Sequence, residues 1–354
     1  MKVLHIKSTL EIGGAEKLLA DMLPIMSKSI EVAILVNEYK DNALTQKLKK
    51  AGICLYTLDY SKLYSPCNIF KIARWLKRYD IIHVHLFPSL YWVALANLPF
   101  KKPLIYTEHS TYNKRRNKWW LRFFERWIYE KYSKIVSISP LTECNVKKWV
   151  GAKEKDEKYE VVNNGVCVDE FNKYERKHDS IKTLIMIGRF APAKDQATII
   201  RTMVLLDDVT HLILVGDGEN RTMDEELAKR IGVSKRVHFV GTQTNVVDWI
   251  RKADIGIQSS KWEGFGITSV EMMASGLPVI ATDVDGLKQV VEGAGEIFPV
   301  GNEKRLSQLI MRLQSDKEYY NMIRMRCMER AKIYDIKETA KAYINIYESL
   351  LKDN

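Results

Sequence analysis

Short runs of apolar and β-branched residues alternate with amphipathic stretches along the whole chain. In the first half the strand-like runs are Val3–Ile6, Val32–Val36, Ile53–Leu58, Ile81–His85, Leu104–Thr107, Ile135–Ser139 and Tyr159–Val162. Helical patterns lie between them, as in Ala15–Met26 and Ile69–Lys77. That alternation predicts parallel sheets wound with helices. A polar, charged break at Lys173–Ser180 reads as a linker. The alternation then restarts, with strands expected at Thr183–Ile187, His211–Val215, Val237–Val240, Asp254–Gln258 and Pro278–Thr282. Several end in glycine or small polar turns: Gly188-Arg189, Gly216-Asp217-Gly218, Gly241 and Ser259-Ser260. Open α/β sheets bind ligands outside the carboxyl ends of their strands. The expectation is therefore two Rossmann-like domains facing across a cleft, residues 1–172 and 181–334. The final helix, about 335–354, carries Tyr343, Ile346, Tyr347, Leu350 and Leu351 on one face, so it must pack on another element.

Composition narrows this picture. At 354 residues the chain exceeds one typical core. Its 46% hydrophobic and 28% charged content is ordinary for a globular protein. No apolar run approaches the ~20 residues of a membrane span. Met1-Lys-Val-Leu-His-Ile already reads as a strand rather than a signal peptide, so a cytosolic protein is expected. The five cysteines form no Cys-x-x-Cys pair and read as free thiols. The net charge of +11 is lopsided: residues 1–175 hold 29 Lys+Arg against 19 Asp+Glu, and the remainder is nearly balanced. A basic half concentrates anionic partners, whether nucleic acid, an anionic bilayer or a diphosphate-linked substrate.

Candidate chemistry concentrates at residues 263–271, Glu263-Gly-Phe-Gly-Ile-Thr-Ser-Val-Glu271. Eight residues is a little over two helical turns. A helix starting near Phe265 places Glu263 at its mouth and Glu271 inside, with Gly264 and Gly266 leaving the backbone open. Free N–H groups at a helix start attract phosphate, and carboxylates accept from vicinal hydroxyls. The competing reading is a dipole-stabilising glutamate and a second one on a wet face. In a second junction, Gly188-Arg189-Phe190-Ala191-Pro192-Ala193-Lys194, Arg189 is expected to end a strand and Lys194 to begin the next helix. Arg189 and Lys194 there suit a diphosphate and its gain of charge on departure; the plain alternative is surface charge. Gly13-Gly14 opens the first helix but forms neither a dinucleotide fingerprint nor a P-loop.

His109 ends a strand and is expected at the cleft. His5, His83 and His85 read as packed or locally hydrogen-bonded, and no spacing completes a metal site. Residues 114–134 hold eight cations, two acids, three tryptophans and two phenylalanines. This basic aromatic helix fits contact with an anionic membrane surface. Alternatively Trp120, Phe124, Trp127 and Ile128 form its core face. Basic–aromatic interleaving also occurs in nucleic-acid binders, but no helix-turn-helix, RNP or zinc-finger pattern accompanies it, so no nucleic-acid partner is expected.

Together these segments resemble the retaining, GT-B-fold glycosyltransferases of family 4. The matching pieces are Gly13-Gly14, His109, Asn163-Asn-Gly-Val166, Gly188-Arg189 with Lys194, Glu263-Gly-Phe-Gly with Glu271, and Gly276-Leu-Pro-Val-Ile-Ala-Thr-Asp283. The resemblance implies a second domain that binds a nucleoside-diphosphate sugar, UDP being the preferred carrier, and a first domain that binds the acceptor. It implies that the last helix crosses back to the first domain. It implies that Arg189 and Lys194 hold the diphosphate and that Glu271 binds the ribose. Glu263 and the Gly264-Phe265-Gly266 backbone would meet sugar hydroxyls, and Ile267 and Thr268 would offer N–H groups to phosphate. Gly14 would close over the phosphates, His109 would touch the donor sugar, and Gly241–Thr242 would border the base. His109, Glu263, Arg189 and Lys194 are the catalytic candidates, without a metal. The family reacts with retention, through same-face substitution in which the leaving phosphate takes the acceptor proton.

Two departures stand out. Asp285-Gly286 replaces the Gly-Gly usual after Asp283-Val284, and Ser27–Ile30 stands where the family has Gly-His. The expected activity is hexosyl transfer to a lipid-diphosphate-linked or polysaccharide acceptor in capsule or O-antigen assembly, at the inner face of the cell membrane. The rivals are a GT-B nucleotide-sugar 2-epimerase, which needs an acid–base pair and no acceptor, and a non-catalytic basic binding module.

Overall fold

The computed structural model describes residues 1–11, 13–58, 62–111, 113–171 and 181–352; the expected linker at 173–180 lies outside them. The chain folds as two compact units. Unit 1 comprises Met1–Gly165 with Ile336–Asn354, and unit 2 comprises Val166–Asp335.

Unit 1 is built on β1 (Lys2–Lys7), β2 (Glu31–Val36), β3 (Cys54–Thr57), β4 (Ile81–His85), β5 (Leu104–Glu108), β6 (Lys134–Ser137) and β7 (Tyr159–Val161). The order is β3-β2-β1-β4-β5-β6-β7, parallel throughout. Its helices are α1 (Gly14–Met26), α2 (Ala43–Lys50), α3 (Asn68–Leu76), α4 (Ser89–Ala96), α5 (Leu121–Glu130) and α6 (Pro140–Val150). Unit 2 opens with α7 (Val168–Phe171). Its strands are β8 (Thr183–Ile187), β9 (His211–Val215), β10 (Val237–Gly241), β11 (Ile255–Gln258), β12 (Val279–Thr282) and β13 (Glu296–Phe298). They run β10-β9-β8-β11-β12-β13, again parallel. Between and after them come α8 (Gln196–Thr202), α9 (Arg221–Arg230), α10 (Val246–Ile250), α11 (Ile267–Ala274), α12 (Asp285–Val291), α13 (Glu303–Ser315) and α14 (Lys317–Ile333). The final helix, α15 (Ile336–Lys352), belongs to unit 1 and packs on α1.

Strand side chains alternate, and the alternation explains which face is which. Leu4, Ile6, Ile82, Val84 and Tyr106 enter one apolar core with residues from α3, α4, α5 and α6. The alternate positions of β1 and β4 are His5, Lys7, His83 and His85, all buried, with His5 paired to His83 and Lys7 to His85 in register. These polar residues are covered where α15 returns, because its Tyr347 hydroxyl lies 2.6 Å from His83 Nδ1 and its Tyr343 hydroxyl 3.1 Å from Thr107 Oγ1. Tyr343, Ile346, Tyr347 and Leu350 are buried as their spacing predicts, and each contributes about 1.5–3 kcal/mol through that burial. Leu351, expected on the same face, is exposed.

Three further expectations need correction. The sequence pattern misses β13, whose three residues are too few to show a period. The helix expected near Phe265 begins at Ile267, capped by Gly266 in a left-handed conformation (φ +82°). Lys194 does not begin a helix: it lies in the loop before Gln196, bridged to Ser260.

Candidate active site

Each sheet reverses its strand order once, between β1 and β4 in unit 1 and between β8 and β11 in unit 2. Such switch points open a crevice at the carboxyl ends of the flanking strands. Both crevices are lined with polar chemistry.

In unit 2 the β8 loop brings Lys194 onto the β11 loop, where its ammonium is hydrogen-bonded to the Glu263 carboxylate. Glu263 also accepts from the Gly264 N–H at 3.1 Å. Buried Gln258, at the end of β11, binds this pair to α11. With its amide oriented to satisfy all its neighbours, Gln258 accepts from Lys194 Nζ at 2.7 Å. In that orientation its NH2 donates to Thr268 Oγ1 at 3.0 Å and to the Ile187 carbonyl at 3.2 Å. One cation, one carboxylate and the first turn of a helix are thereby connected through a single side chain. Ser269 N–H returns to the Gly266 carbonyl at 2.9 Å. The N–H groups of Ile267 and Thr268 precede that bond, so the helix start presents them to a ligand.

The loop holding Glu263 is set by close packing. A β-carbon on Gly286 would sit 2.2 Å from the Glu263 carbonyl oxygen, so only glycine admits this approach of α12. Asp285, the residue that departs from the family pattern, is exposed and leaves that contact intact. The Arg189 side chain is exposed and has no ion-pair partner among the described residues. Glu271 lies inside α11 and is buried. The Phe265 side chain is buried edge-on against Tyr334, leaving only its backbone for a ligand. Gly241 ends β10 with its carbonyl accepting from Gly216 N–H at 2.9 Å, and Thr242 beyond it is exposed.

In unit 1 four histidines gather at the crevice. His5 Nδ1 lies 3.0 Å from His85 Nε2, and His85 Nδ1 lies 3.1 Å from His109 Nε2. His83 is occupied at both nitrogens, by Tyr347 and, at 2.7 Å, by Thr107. Burial pushes His5 down to about 3, and burial with the Lys7 charge pushes His109 down to about 3. His83 and His85 are lowered by burial and by neighbouring imidazoles. All four are therefore neutral near pH 7, each with one donor and one acceptor nitrogen. His5, His83 and His85 also bring ring nitrogens within 4.8 Å of one another, the spacing of a metal-binding group. Five of those six nitrogens already face hydrogen-bond partners, and His5 Nε2 is the exception. Beside them buried Lys7 pairs with Glu16 at 2.9 Å; burial lowers the lysine while Glu16 opposes that shift. Gly14 begins α1 over open space, since a β-carbon there would meet nothing within 4 Å.

Residues 12–170 match the family described as Glycosyltransferase Family 4, and residues 168–331 match Glycosyl transferases group 1. The chain belongs to the group 1, family 4 glycosyltransferases. The lipopolysaccharide core biosynthesis mannosyltransferase LpsB of Rhizobium meliloti is 32% identical over 143 residues, which cover 38% of this chain and 41% of that enzyme. The chain thus spans less than half of that relative in the match. The phosphatidyl-myo-inositol mannosyltransferase of Mycobacterium leprae is 24% identical across 96% of this chain and 93% of that one. The crystal structure of Anabaena HepE, in complex with UDP and glucose, superimposes with a TM-score of 0.85 at 19% identity, covering 99% of this chain and 100% of that one. That likeness fixes the fold as GT-B.

Within this family member the predicted residues separate cleanly. Lys194, Glu263, Gly264 and Thr268 form one connected group in unit 2, and Arg189, Gly266, Ile267, Glu271, Gly241 and Thr242 belong to the same unit. Gly14 and His109 belong to unit 1. Gln258 escaped sequence reasoning, although it is the one amide closing an otherwise apolar strand. The His5–His85 connection also escaped it, because His5 and His85 are eighty residues apart.

Of the two readings of the basic helix, the core-face one needs correction. The residues suggested for its core face are Trp120, Phe124, Trp127 and Ile128, yet only Ile128 is buried, while Trp119 (75%) and Phe123 (74%) are the most exposed. Inside lies Glu125, fully buried, paired with Arg115 at 2.8 Å and accepting from the Tyr91 hydroxyl and the Trp149 indole. The aromatics therefore form an exposed strip beside Lys118, Arg122 and Arg126.

Proposed function

We propose that this chain is a retaining hexosyltransferase. It moves a sugar from a UDP-linked donor held by unit 2 to a lipid-linked or polysaccharide acceptor held by unit 1, in the assembly of a cell-surface glycan. The observation that carries the reading is the Lys194–Gln258–Glu263 group at the unit 2 switch point, set against the start of α11. An arriving diphosphate competes with Glu263 for the Lys194 ammonium, since both are oxyanions on one cation. Glu263, released, is free to accept from sugar hydroxyls. Lys194, Arg189 and the α11 amides then stabilise the charge that the diphosphate gains as the glycosidic bond breaks. The acceptor hydroxyl enters on the face the phosphate leaves, and the phosphate oxygen takes its proton, which preserves the anomeric configuration.

The HepE complex with UDP and glucose, and relatives named for lipopolysaccharide and phosphatidylinositol mannosylation, support the donor and acceptor classes. The exposed Trp119–Trp120–Phe123 strip with its cations supports peripheral contact with an anionic membrane. Among the described residues no helix is long and apolar enough to cross one.

The test is a melting-temperature screen of nucleotides and nucleotide-sugars, followed by NMR of the product anomer. A ligand that binds only the folded chain raises Tm. UDP and one UDP-sugar should do so, and the product should keep the donor's anomeric configuration. No shift with any nucleotide, or an inverted product, overturns the reading.

A further inference from the structure

Unit 1 contains a cavity of about 590 Å3 that the histidine crevice does not include. It is open to solvent on one side, begins at Thr111, two residues beyond His109, and is walled by the turn before α5, the start of α5 and the last half of α6. Its size suits a small polar ligand rather than a polymer face.

Its lining has three kinds of chemistry. Three cations face it: Arg116, Arg122 and Lys148, and no acid accompanies them among the lining residues. Arg116 is held from behind by buried Glu108, whose carboxylate accepts from Nη2 at 3.1 Å. Its Nη1 is buried without a partner among the described residues, a donor that a bound oxyanion would satisfy. Arg122 is fixed through Nε to the Trp149 carbonyl at 2.8 Å. The Lys148 ammonium is exposed and has no partner among the described residues.

Two of the three lining asparagines, Asn113 and Asn145, supply neutral hydrogen bonds. Asn113 uses its carbonyl oxygen to accept from Arg115 N and Nε, both at 3.1 Å, which leaves its NH2 to donate. Asn145 uses its NH2 on the Thr111 carbonyl at 3.1 Å, which leaves its oxygen to accept. One donor and one acceptor on neighbouring amides match the hydroxyls of a sugar. Trp119 and Trp149 add flat apolar surfaces, and the Trp149 ring is locked because its indole N–H is bonded to Glu125.

We propose that this cavity is the acceptor subsite and that it takes a sugar bearing a phosphate, the head of a lipid-linked acceptor. The cations bind the phosphate, the amides bind hydroxyls, and the indoles cover the ring. Trp119 decides for the lipid-linked source: it lines the cavity and also begins the exposed aromatic strip, so a lipid tail leaving the phosphate runs onto that strip. The assignment rests on the glycosyltransferase reading only for the word acceptor. The binding chemistry stands on the cavity alone.

The experiment is calorimetric titration of the whole chain with glucose 1-phosphate, N-acetylglucosamine 1-phosphate, glucose and inorganic phosphate. Excess UDP is present to fill the donor site. A short-chain prenyl-diphosphate sugar forms the lipid arm. A sugar phosphate should bind at least about tenfold more tightly than glucose or phosphate alone, because two sets of contacts act together. Lys148→Glu should weaken it by about tenfold or more, and Asn113→Ala by a smaller factor. Neither should alter the Tm rise caused by UDP, which reports on folding and on unit 2. The prenyl-linked sugar should bind more tightly again, with that gain lost in Trp119→Ala. Phosphate binding as well as the sugar phosphates marks an unspecialised anion patch and overturns the subsite, as does unchanged affinity in Lys148→Glu. Equal affinity for free and prenyl-linked sugar phosphates overturns the lipid assignment. Lys148-dependent sugar-phosphate binding without any UDP effect on Tm would leave the subsite standing and remove the glycosyltransferase reading instead.

Discussion

His85, the last residue of β4, and His109, the residue just after the neighbouring β5, meet nitrogen to nitrogen at 3.1 Å. Since His85 also meets His5, three neutral imidazoles stand in a file that ends at His109 Nδ1 and His5 Nε2, both buried and without a partner among the described residues. Neutral imidazoles in a file share one direction of donation. If His5 Nδ1 carries its proton, so do His85 Nδ1 and His109 Nδ1; reversing the file turns His109 Nδ1 into an acceptor. The tautomer of His109 is thus tied through His85 to that of His5, far away in sequence.

The same burial makes stability depend on acid. Unfolded, an imidazole titrates near 6.5; folded, His5 and His109 titrate at about 3. Above pH 6.5 neither state binds these protons and the full stability is present. Between 6.5 and about 3 only the unfolded chain binds them, so stability falls as pH falls, by up to about 1.4 kcal/mol per pH unit for each histidine. Urea unfolding at pH 7, 6 and 5 should show that slope, and His5→Gln should make it shallower. Equal slopes in both proteins would contradict the neutral file.

Removing charge at the unit 2 group should act on turnover. Lys194→Ala should lower kcat by about 100- to 1000-fold, the roughly 2.7–4 kcal/mol that one transition-state contact supplies. Glu263→Gln leaves Lys194 without its anion, so it should bind UDP at least as tightly as the natural chain while turning over more slowly. Steady-state kinetics with calorimetry of UDP binding separates the two effects; unchanged kcat in Lys194→Ala would remove it from the chemistry.

Gly286 should be sensitive to substitution and Asp285 tolerant of it. Gly286→Ala drives a methyl against the Glu263 carbonyl and should cost about 1–3 kcal/mol as overpacking, with weakened donor binding. Asp285→Gly restores the family's pair at an exposed site and should stay within about 0.5 kcal/mol. Thermal unfolding of the two variants with and without UDP checks both. A neutral Gly286→Ala would mean that the loop yields without cost.

The exposed strip gives a membrane prediction. Trp119→Ala combined with Phe123→Ala removes two rings already in water, so Tm should hardly move, while co-sedimentation with anionic vesicles should fall several-fold. Retained vesicle binding would assign the strip another role.

Much of this architecture was legible in sequence because parallel strands buried on both faces leave a strong signal, as in Leu104–Thr107 and Thr183–Ile187. The returning helix was legible through Tyr343, Ile346 and Tyr347. The α5 helix was not. Its one buried acid, Glu125, is neutralised by Arg115 and by groups from α4 and α6, partners that no periodicity within the helix reveals. Gly-Phe-Gly announced a helix start, but the side chain joining it to Lys194 is Gln258, which comes from another strand. Hydrophobic spacing records which face is covered; it does not record which polar groups converge from separate segments.

The placement of α15 bears on how the molecule is made. A ribosome delivers the first 165 residues of unit 1, then all of unit 2, and only afterwards the helix whose tyrosines cover His83 and Thr107. Until then the part of the first sheet around His83 and Thr107 stays open to solvent or to a chaperone, so unit 1 waits on that late helix for its last cover while the later-made unit is delivered in one stretch.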